Sequence, residues 1–341
     1  MHISVITPVY NAARFVEKAV NSVLQFDIVK EILLIEDGSD DNSLKICVSL
    51  EKEHSRVKLF QHPDKKNHGA GASRNLGLEN ATCSYIAFLD ADDYFLPNRF
   101  DADKKVFEDN LQADGVYNAI GAHFYSEESK TNFSLAFHFS KKNLTTIKKS
   151  LMPNELFPCL ISYRVGYGHF HLDGLTFKKE VLKKMNAWFD PELKLHQDTD
   201  FIIRMSYYAS LFGGELLKPV AIRGVHDDNR ILKAKRDPRI INSSRYKQWK
   251  NIYLWAKKEK IPCNYLNHLF CIKSVSEIKT SKYLKAWLLF FQNVIIDKNI
   301  LLKCNYYDSL HYHFFGKNRF SKFLLKAKYK IQKVMGISWN I

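Results

Sequence analysis

The 341 residues lack the marks of several broad protein classes. No apolar run reaches the ~20 residues that a membrane-spanning helix needs. The strongest candidate, around Trp287, is interrupted at Gln292, Asn293 and Asp297. The six cysteines, at 47, 83, 159, 263, 271 and 304, have no paired short spacing and read as reduced thiols rather than as a disulfide framework. The glycine spacings GxGxxG and GxxxxGK are both missing, so neither a hydride-transfer cofactor nor a P-loop is expected. No helix-turn-helix, zinc-finger or aromatic RNA motif occurs, which removes nucleic acid as a partner. A strand starts almost at once, at His2, leaving no room for a secretion signal, and a cytoplasmic location is expected.

Acidic residues are scarce in one region only. Residues 231–341 carry 23 Lys and Arg against five Asp and Glu, a net +18, whereas residues 1–230 carry 28 against 31. The chain's formal +15 therefore belongs to its last third, and the expected division is a domain over 1–230 and a basic region over 231–341. That region is too apolar and aromatic for a disordered arm and should be helical. Phe320, Leu324, Ala327, Ile331 and Val334 share one helical face, with Lys322, Lys326, Lys330 and Lys333 on the other. Such a region can lie on an anionic membrane surface at the inner face of the cell membrane, or pack on protein, including a second copy of the chain.

The first hundred residues alternate strand and helix. His2 to Thr7 reads as a strand and Ala13 to Gln25 as an amphipathic helix with Phe15, Val16, Ala19, Val23 and Leu24 on one face. Ile32 to Ile35 is a second strand, followed by an acidic turn and a helix from Ser43 to Glu53. Val57 to Gln61 is a third, then comes a glycine-bearing loop from Asn67 to Gly77, and Tyr85 to Leu89 is a fourth. This predicts an α/β fold with a mostly parallel sheet flanked by helices. Ligands of such sheets bind outside the carboxyl ends of the strands, where this chain places Thr7-Pro8-Val9-Tyr10, Glu36-Asp37 and Asp90-Ala91-Asp92-Asp93. Three carboxylates within four residues suit a hard cation such as Mg²⁺ or Mn²⁺, whose shell a substrate phosphate commonly completes.

Val5-Ile6-Thr7-Pro8-Val9-Tyr10-Asn11, Ile35-Glu36-Asp37-Gly38-Ser39, Gly71-Ala72-Ser73-Arg74-Asn75-Leu76-Gly77 and Asp90-Ala91-Asp92-Asp93 resemble, in order, the motifs of inverting family 2 glycosyltransferases with the GT-A fold. The resemblance covers roughly residues 1–230. It implies a metal-dependent hexosyltransferase that moves a sugar from a nucleotide-diphosphate donor, a UDP-sugar first among them, to a hydroxyl of a glycan or lipid-linked acceptor in cell-surface polysaccharide synthesis. It also implies roles: Thr7, Pro8, Val9 and Tyr10 wall the base, Asp37 with Glu36 beside it reads the base, and Arg74 meets the diphosphate or the base. Asp90 meets the ribose or, indirectly, the metal, Ala91 belongs to the same donor-binding turn, Asp92 binds Mn²⁺ or Mg²⁺, and Asp93 either joins them or caps the following turn.

Trp188-Phe189-Asp190 and Gln197-Asp198 resemble the segment that carries the family's base, which makes Asp198 the expected catalytic base. Trp188 stands where glycine is usual and Gln197 where an acid is usual, and Asp200 is the alternative base. The helix after it is expected over Ile202 to Leu211. In Ile222 to Arg230, His226 is the candidate second metal ligand or phosphate contact, with Arg223 and Arg230 facing the diphosphate. His169 to Phe177 is expected as a strand on the acceptor side, its two histidines making sugar or packing contacts, and 126–149 as irregular acceptor loops. Rival readings are a sugar-1-phosphate nucleotidyltransferase, whose glycine-rich basic loop after the first strand is missing, and a catalytically silent nucleotide-binding or scaffold protein.

Overall fold

Seven buried residues in a row, Ile3–Val9, form the central strand β1, whose mainly apolar sequence, broken only by Ser4 and Thr7, is what burial on both faces of a sheet demands. The computed structural model describes residues 1–137, 144–163, 168–229, 234, 237–281 and 283–296. The helix expected near Phe320 and the residue Arg230 lie outside them. Two compact units emerge, Met1–Pro238 and Arg239–Ile341.

In the first unit, β1 pairs in parallel with β2 (Val29–Glu36) on one side and with β4 (Tyr85–Phe88) on the other, and β3 (Val57–Gln61) lies beyond β2. The crossovers are α1 (Val16–Leu24), α2 (Ser43–Glu53) and α3 (Ala70–Asn80). Val16, Ala19, Val20 and Val23 recur at helical spacing and bury the inner face of α1. Helix α3 sits so close to β1 that a Cβ at Gly77 would collide with Ile6, so glycine is required there.

Beyond β4 the sheet changes character. A two-residue strand β5 (Tyr94–Phe95), helix α4 (Asp101–Asp109), and strands β6 (Gly115–Tyr117) and β7 (Ile120–Phe124) follow. After them come α5 (Glu127–Phe137), α6 (Pro153–Leu160), β8 (Leu175–Lys178), α7 (Gln197–Tyr208), β9 (Leu211–Gly213) and β10 (Ala221–Val225). The main sheet runs β3-β2-β1-β4-β8-β6-β9, with β8 antiparallel to both neighbours, and β5-β10-β7 form a small second sheet. The chain leaves β1 in one direction and returns to β4 on its other side, so the order reverses between the ends of these two strands, the position where a ligand crevice opens.

Three expectations need correction. The strand expected over His169 to Phe177 is a strand only from Leu175, because Leu172–Gly174 form a 3-10 turn whose last residue packs on Asn118, leaving no space for a Cβ. The helix expected over Ile202 to Leu211 runs from Gln197 to Tyr208. His196, in the left-handed region at φ 63°, turns the chain into it, and Ala209 leaves it extended so that Leu211 can join β9. The stretch 126–149 is not wholly irregular: Ser126 and Ser129 exchange backbone-to-hydroxyl bonds of 2.9 and 3.2 Å, a reciprocal cap that starts α5.

The second unit contains α8 (Pro238–Lys258), α9 (Cys263–Thr280) and α10 (Tyr283–Ile296), as the composition predicts. Cys271 and Ile278 of α9 pack with Ala286 and Phe290 of α10. On α10, Leu288 (64% exposed), Phe291 (56%) and Ile295 (79%) form an outward apolar stripe at i, i+3 and i+7. Among the described residues no helix is long and apolar enough to cross a membrane.

Candidate active site

The crevice begins with a frame. Asn11 at the end of β1 and the turn after β2 are laced together by Asn11 N–H to Ser39 Oγ (3.0 Å) and Asp40 N–H to Asn11 Oδ1 (2.9 Å). Glu36 folds that turn, accepting from the N–H of Ser39 at 2.6 Å and from Gln61 Nε2 at 2.7 Å. Asp37 accepts from the N–H groups of His68 and Gly69, each at 2.8 Å, and from Asn67 Nδ2 at 3.1 Å, so it pins the loop that leads into α3. Gly38 has φ +69° and its Cβ position lies 2.8 Å from the Lys65 carbonyl oxygen, so the turn admits only glycine. Thr7, Pro8, Val9, Glu36 and Asp37 are buried, and Tyr10, at 44% exposure, is the one of the expected base-wall residues whose ring reaches the surface.

At the end of β4 the four residues Asp90-Ala91-Asp92-Asp93 make a tight turn, closed by Asp93 N–H to Asp90 C=O at 3.0 Å. Each carboxylate faces a different partner, and Ala91 is buried between them. Asp90 accepts from Arg74 Nη2 at 2.5 Å. Asp92 Oδ2 lies 3.1 Å from His226 Nε2 and accepts from Asn229 Nδ2 at 2.9 Å. Asp93 accepts from the N–H of Gly224 at 2.8 Å. The end of β10 thus closes over the turn, and Gly224 packs so tightly on the Asp92 carbonyl that no side chain fits. His226 stacks on Phe15 with ring centroids 4.6 Å apart.

Charge in this turn is unevenly settled. Burial acts against the Asp92 charge, but His226 and Arg223 outweigh it and hold the carboxyl below its usual range. Burial, together with Asp173 and Asp92, drives Asp93 well above that range. Asp93 is therefore a carboxylic acid that donates to Asp173, itself pushed up to about 6 by burial and by Asp90. Oxygens of Asp90, Asp93 and Asp173 lie within 4.8 Å of one another and could hold a cation. A shared proton and Arg74 already offset much of their charge, whereas Asp92 and His226 offer the oxygen and nitrogen donors that suit Mn²⁺.

The far wall is the first turn of α7. The Asp198 carboxylate accepts from the N–H of Thr199 at 2.8 Å. Burial alone would raise its pKa, but Arg74, that N–H, His171 and His196 bring it below the ordinary value, so Asp198 is ionised at neutral pH. Asp200 is committed elsewhere: it accepts from Arg204 Nε (2.9 Å) and Nη2 (2.6 Å), and Arg204 also donates to the Ala187 carbonyl at 2.6 Å. Of the two carboxylates of α7, only Asp198 belongs to the crevice.

Arg74 joins the two walls. Its guanidinium is buried, bonds Asp90, lies 5.4 Å from the Phe189 ring, and leaves Nε and Nη1 without partners among the described residues. Burial disfavours its charge, and Asp90 and Asp198 more than compensate. Burial likewise opposes the charge of Arg223, which the ionised Asp92, Asp90 and Asp198 sustain. Asn75, next to Arg74, exchanges two bonds with the backbone of Phe189, at 2.8 and 3.0 Å, and so ties α3 to the segment that leads to Asp198. Gln197 is buried and fills the space above Gly71.

The structure thus brings together Arg74, Asp90, Asp92, Asp198, Arg223 and His226. Asp173, Asn75 and Asn229 were missed as site residues, since each acts through a partner remote in sequence. A surface cavity of about 560 Å³ at the other end of β4, lined by residues such as Tyr85, Lys179 and Trp188, contains none of the crevice carboxylates.

Residues 4–166 match the sequence profile described as glycosyl transferase family 2. An uncharacterized glycosyltransferase of Rickettsia conorii is 40% identical over 129 residues, 38% of this chain and 20% of that protein. The minor teichoic acid biosynthesis protein GgaA of Bacillus subtilis is 27% identical over 217 residues, 62% of this chain and 44% of that one. The chain therefore spans from a fifth to less than half of the length of these relatives. Among solved structures, S. aureus TarS 1–349 in complex with UDP superposes with a TM-score of 0.55 at 20% identity, covering 82% of this chain and 71% of that one. The likeness in fold is to a GT-A enzyme, with the same α/β layering around a mostly parallel sheet. The profile match, over a little under half of the chain, the relatives and the motifs that build the crevice all liken this chain to glycosyl transferase family 2.

Proposed function

We propose that the chain is an inverting, metal-dependent glycosyltransferase that transfers a sugar from a UDP-sugar to a hydroxyl of a glycan or lipid-linked saccharide in cell-surface polysaccharide synthesis. The observation that carries this reading is the ionised Asp198 facing, across Arg74, the turn that holds Asp90 and Asp92. A base and an anion-binding wall on opposite sides of one crevice suit in-line displacement at an anomeric carbon.

In this mechanism the base packs on Tyr10 above the frame that Glu36 and Asp37 hold, and Arg74 turns its two unpartnered nitrogens to the diphosphate. Asp92 and His226 would hold Mn²⁺ or Mg²⁺. A bound cation there supplies Lewis-acid stabilisation of the departing diphosphate. Asp198 removes the proton of the acceptor hydroxyl as its oxygen bonds to the anomeric carbon. The bond from that carbon to the diphosphate oxygen breaks with its electron pair on the leaving group, and configuration inverts.

For location, the stripe Leu288-Phe291-Ile295 and the net +18 of residues 231–341 support docking on an anionic inner membrane surface. Flotation with phosphatidylglycerol vesicles at low salt checks this: wild type should float and Phe291→Glu should float less. Loss of neither binding nor salt sensitivity in the variant would remove the stripe from the surface.

Isothermal titration of UDP, GDP and CDP with and without Mn²⁺, in wild type and Asp92→Ala, tests the main reading. Metal-dependent UDP binding that Asp92→Ala loses supports it. Absence of binding by every nucleotide overturns it.

A further inference from the structure

His171 carries a hydrogen-bond acceptor that no group among the described residues meets. One ring nitrogen bonds the backbone of Leu144 and the other, Nε2, is buried without a partner. A contact that favours the protonated ring is one in which the ring donates to a carbonyl, so the hydrogen sits on Nδ1 and the lone pair on Nε2. Burial, with His169 and Arg223 nearby, keeps the imidazole uncharged, and the His169 ring lies 5.3 Å away, its own Nδ1 3.0 Å from Thr146 Oγ1. A lone pair kept dry and unanswered costs about 1–3 kcal/mol, an arrangement that pays only where something else arrives to donate.

The charged neighbours of His171 say what arrives. They are Arg223 and Asp198. Arg223 is sustained by the carboxylates of the β4 turn, on the diphosphate side, and Asp198 is the base on the opposite side. In-line displacement places the transferred sugar between leaving group and base, and a side chain within electrostatic reach of both lies toward that sugar. We infer that His171 Nε2 accepts a hydrogen bond from a hydroxyl of the transferred sugar and is a specificity-determining residue of the donor site. This rests on the glycosyltransferase reading and deepens it. The ring selects a hydroxyl donor and rejects an oxygen that can only accept.

The test compares Mn²⁺-dependent binding of UDP, UDP-glucose, UDP-galactose and UDP-N-acetylglucosamine to wild type, His171→Phe and His171→Gln by calorimetry. UDP affinity should be the same within twofold in all three proteins, since His171 touches only the sugar. At least one UDP-sugar should bind wild type more tightly than UDP does. His171→Phe should lose roughly tenfold of that advantage, the scale of one buried hydrogen bond, and His171→Gln, which keeps an acceptor, should recover part of it. His171→Phe binding the preferred UDP-sugar as wild type does, or no UDP-sugar outdoing UDP, would overturn the inference while leaving the main reading intact. Equal loss of UDP binding in both variants would make the ring structural and also overturn it. Wild type ignoring UDP altogether is the distinct result that sinks the main reading.

Discussion

Two polar clusters built around carboxylates sit at opposite ends of the same sheet and follow opposite rules. At the amino end, Glu31 is buried yet fully answered: it accepts from Ser4 Oγ, from Lys58 Nζ at 2.9 Å, from Thr82 N–H at 2.5 Å and Oγ1 at 3.0 Å, and from Cys83 N–H at 3.3 Å. Burial pushes its pKa up, and these donors overcome that and take it down to about 2. At the carboxyl end, Asp93 and Asp173 are pushed upward, and among the described residues Arg74 has two unmatched nitrogens while His171 and His226 each keep one nitrogen without a partner. One cluster spends its polarity on the fold. The other keeps it for something that binds, and this contrast, more than the presence of acids, marks the functional edge.

The largest effect should come from the proposed base, Asp198. Asp198→Asn keeps size and burial but cannot take a proton, and transfer should fall about 10³- to 10⁴-fold, at the upper end for a general base. UDP affinity and melting temperature should stay near wild type. A variant with normal turnover would erase the contrast by showing that the edge needs no base. Next is Asp200, two residues away in the same helix. Asp200→Asn leaves the Arg204 guanidinium buried without its counter-ion, and unfolding titration should show a loss of roughly 3–5 kcal/mol. Neighbouring carboxylates of one turn would thus separate cleanly into activity and stability. If Asp200→Asn instead lost activity at full stability, the roles assigned to the two would have to be exchanged.

Much of this was legible in the sequence, and the legible part has a physical signature. From β1 to β4 each strand is a short apolar run that ends in polar or turn residues, and each crossover helix shows its buried face at helical spacing, so local pattern suffices. Asp92, Asp198 and His226 could be singled out as candidates because their neighbours in sequence carry motifs. The rest depends on pairing across long separations. Strand β8 joins the sheet antiparallel through contacts with β4 and β6, and the two-residue β5 has no pattern of its own. Asp173 became a site residue only by meeting Asp93, eighty residues earlier. The start of α7 was set too late because His196 carries no capping side chain, and only its left-handed backbone reveals the turn.

The smallest of these effects tests the amino end. Glu31 keeps its charge in the folded protein down to pH about 2, against an ordinary value of 4.5. A carboxyl lowered in this way contributes stability that is complete above pH 4.5 and is lost as pH falls from there toward 2. The difference corresponds to about 3 kcal/mol at neutral pH. Glu31→Gln removes the charge and keeps an acceptor, so at pH 7 it should unfold at lower denaturant by about that amount, while UDP affinity and the pH profile of transfer stay as in wild type. The two proteins should converge in stability as pH drops below 4.5, because acid does to Glu31 what the substitution has already done. A gap that persisted at pH 2 would mean that shape, not charge, is what Glu31 supplies, and the amino end would then differ from the carboxyl end in packing rather than in how it settles its charges.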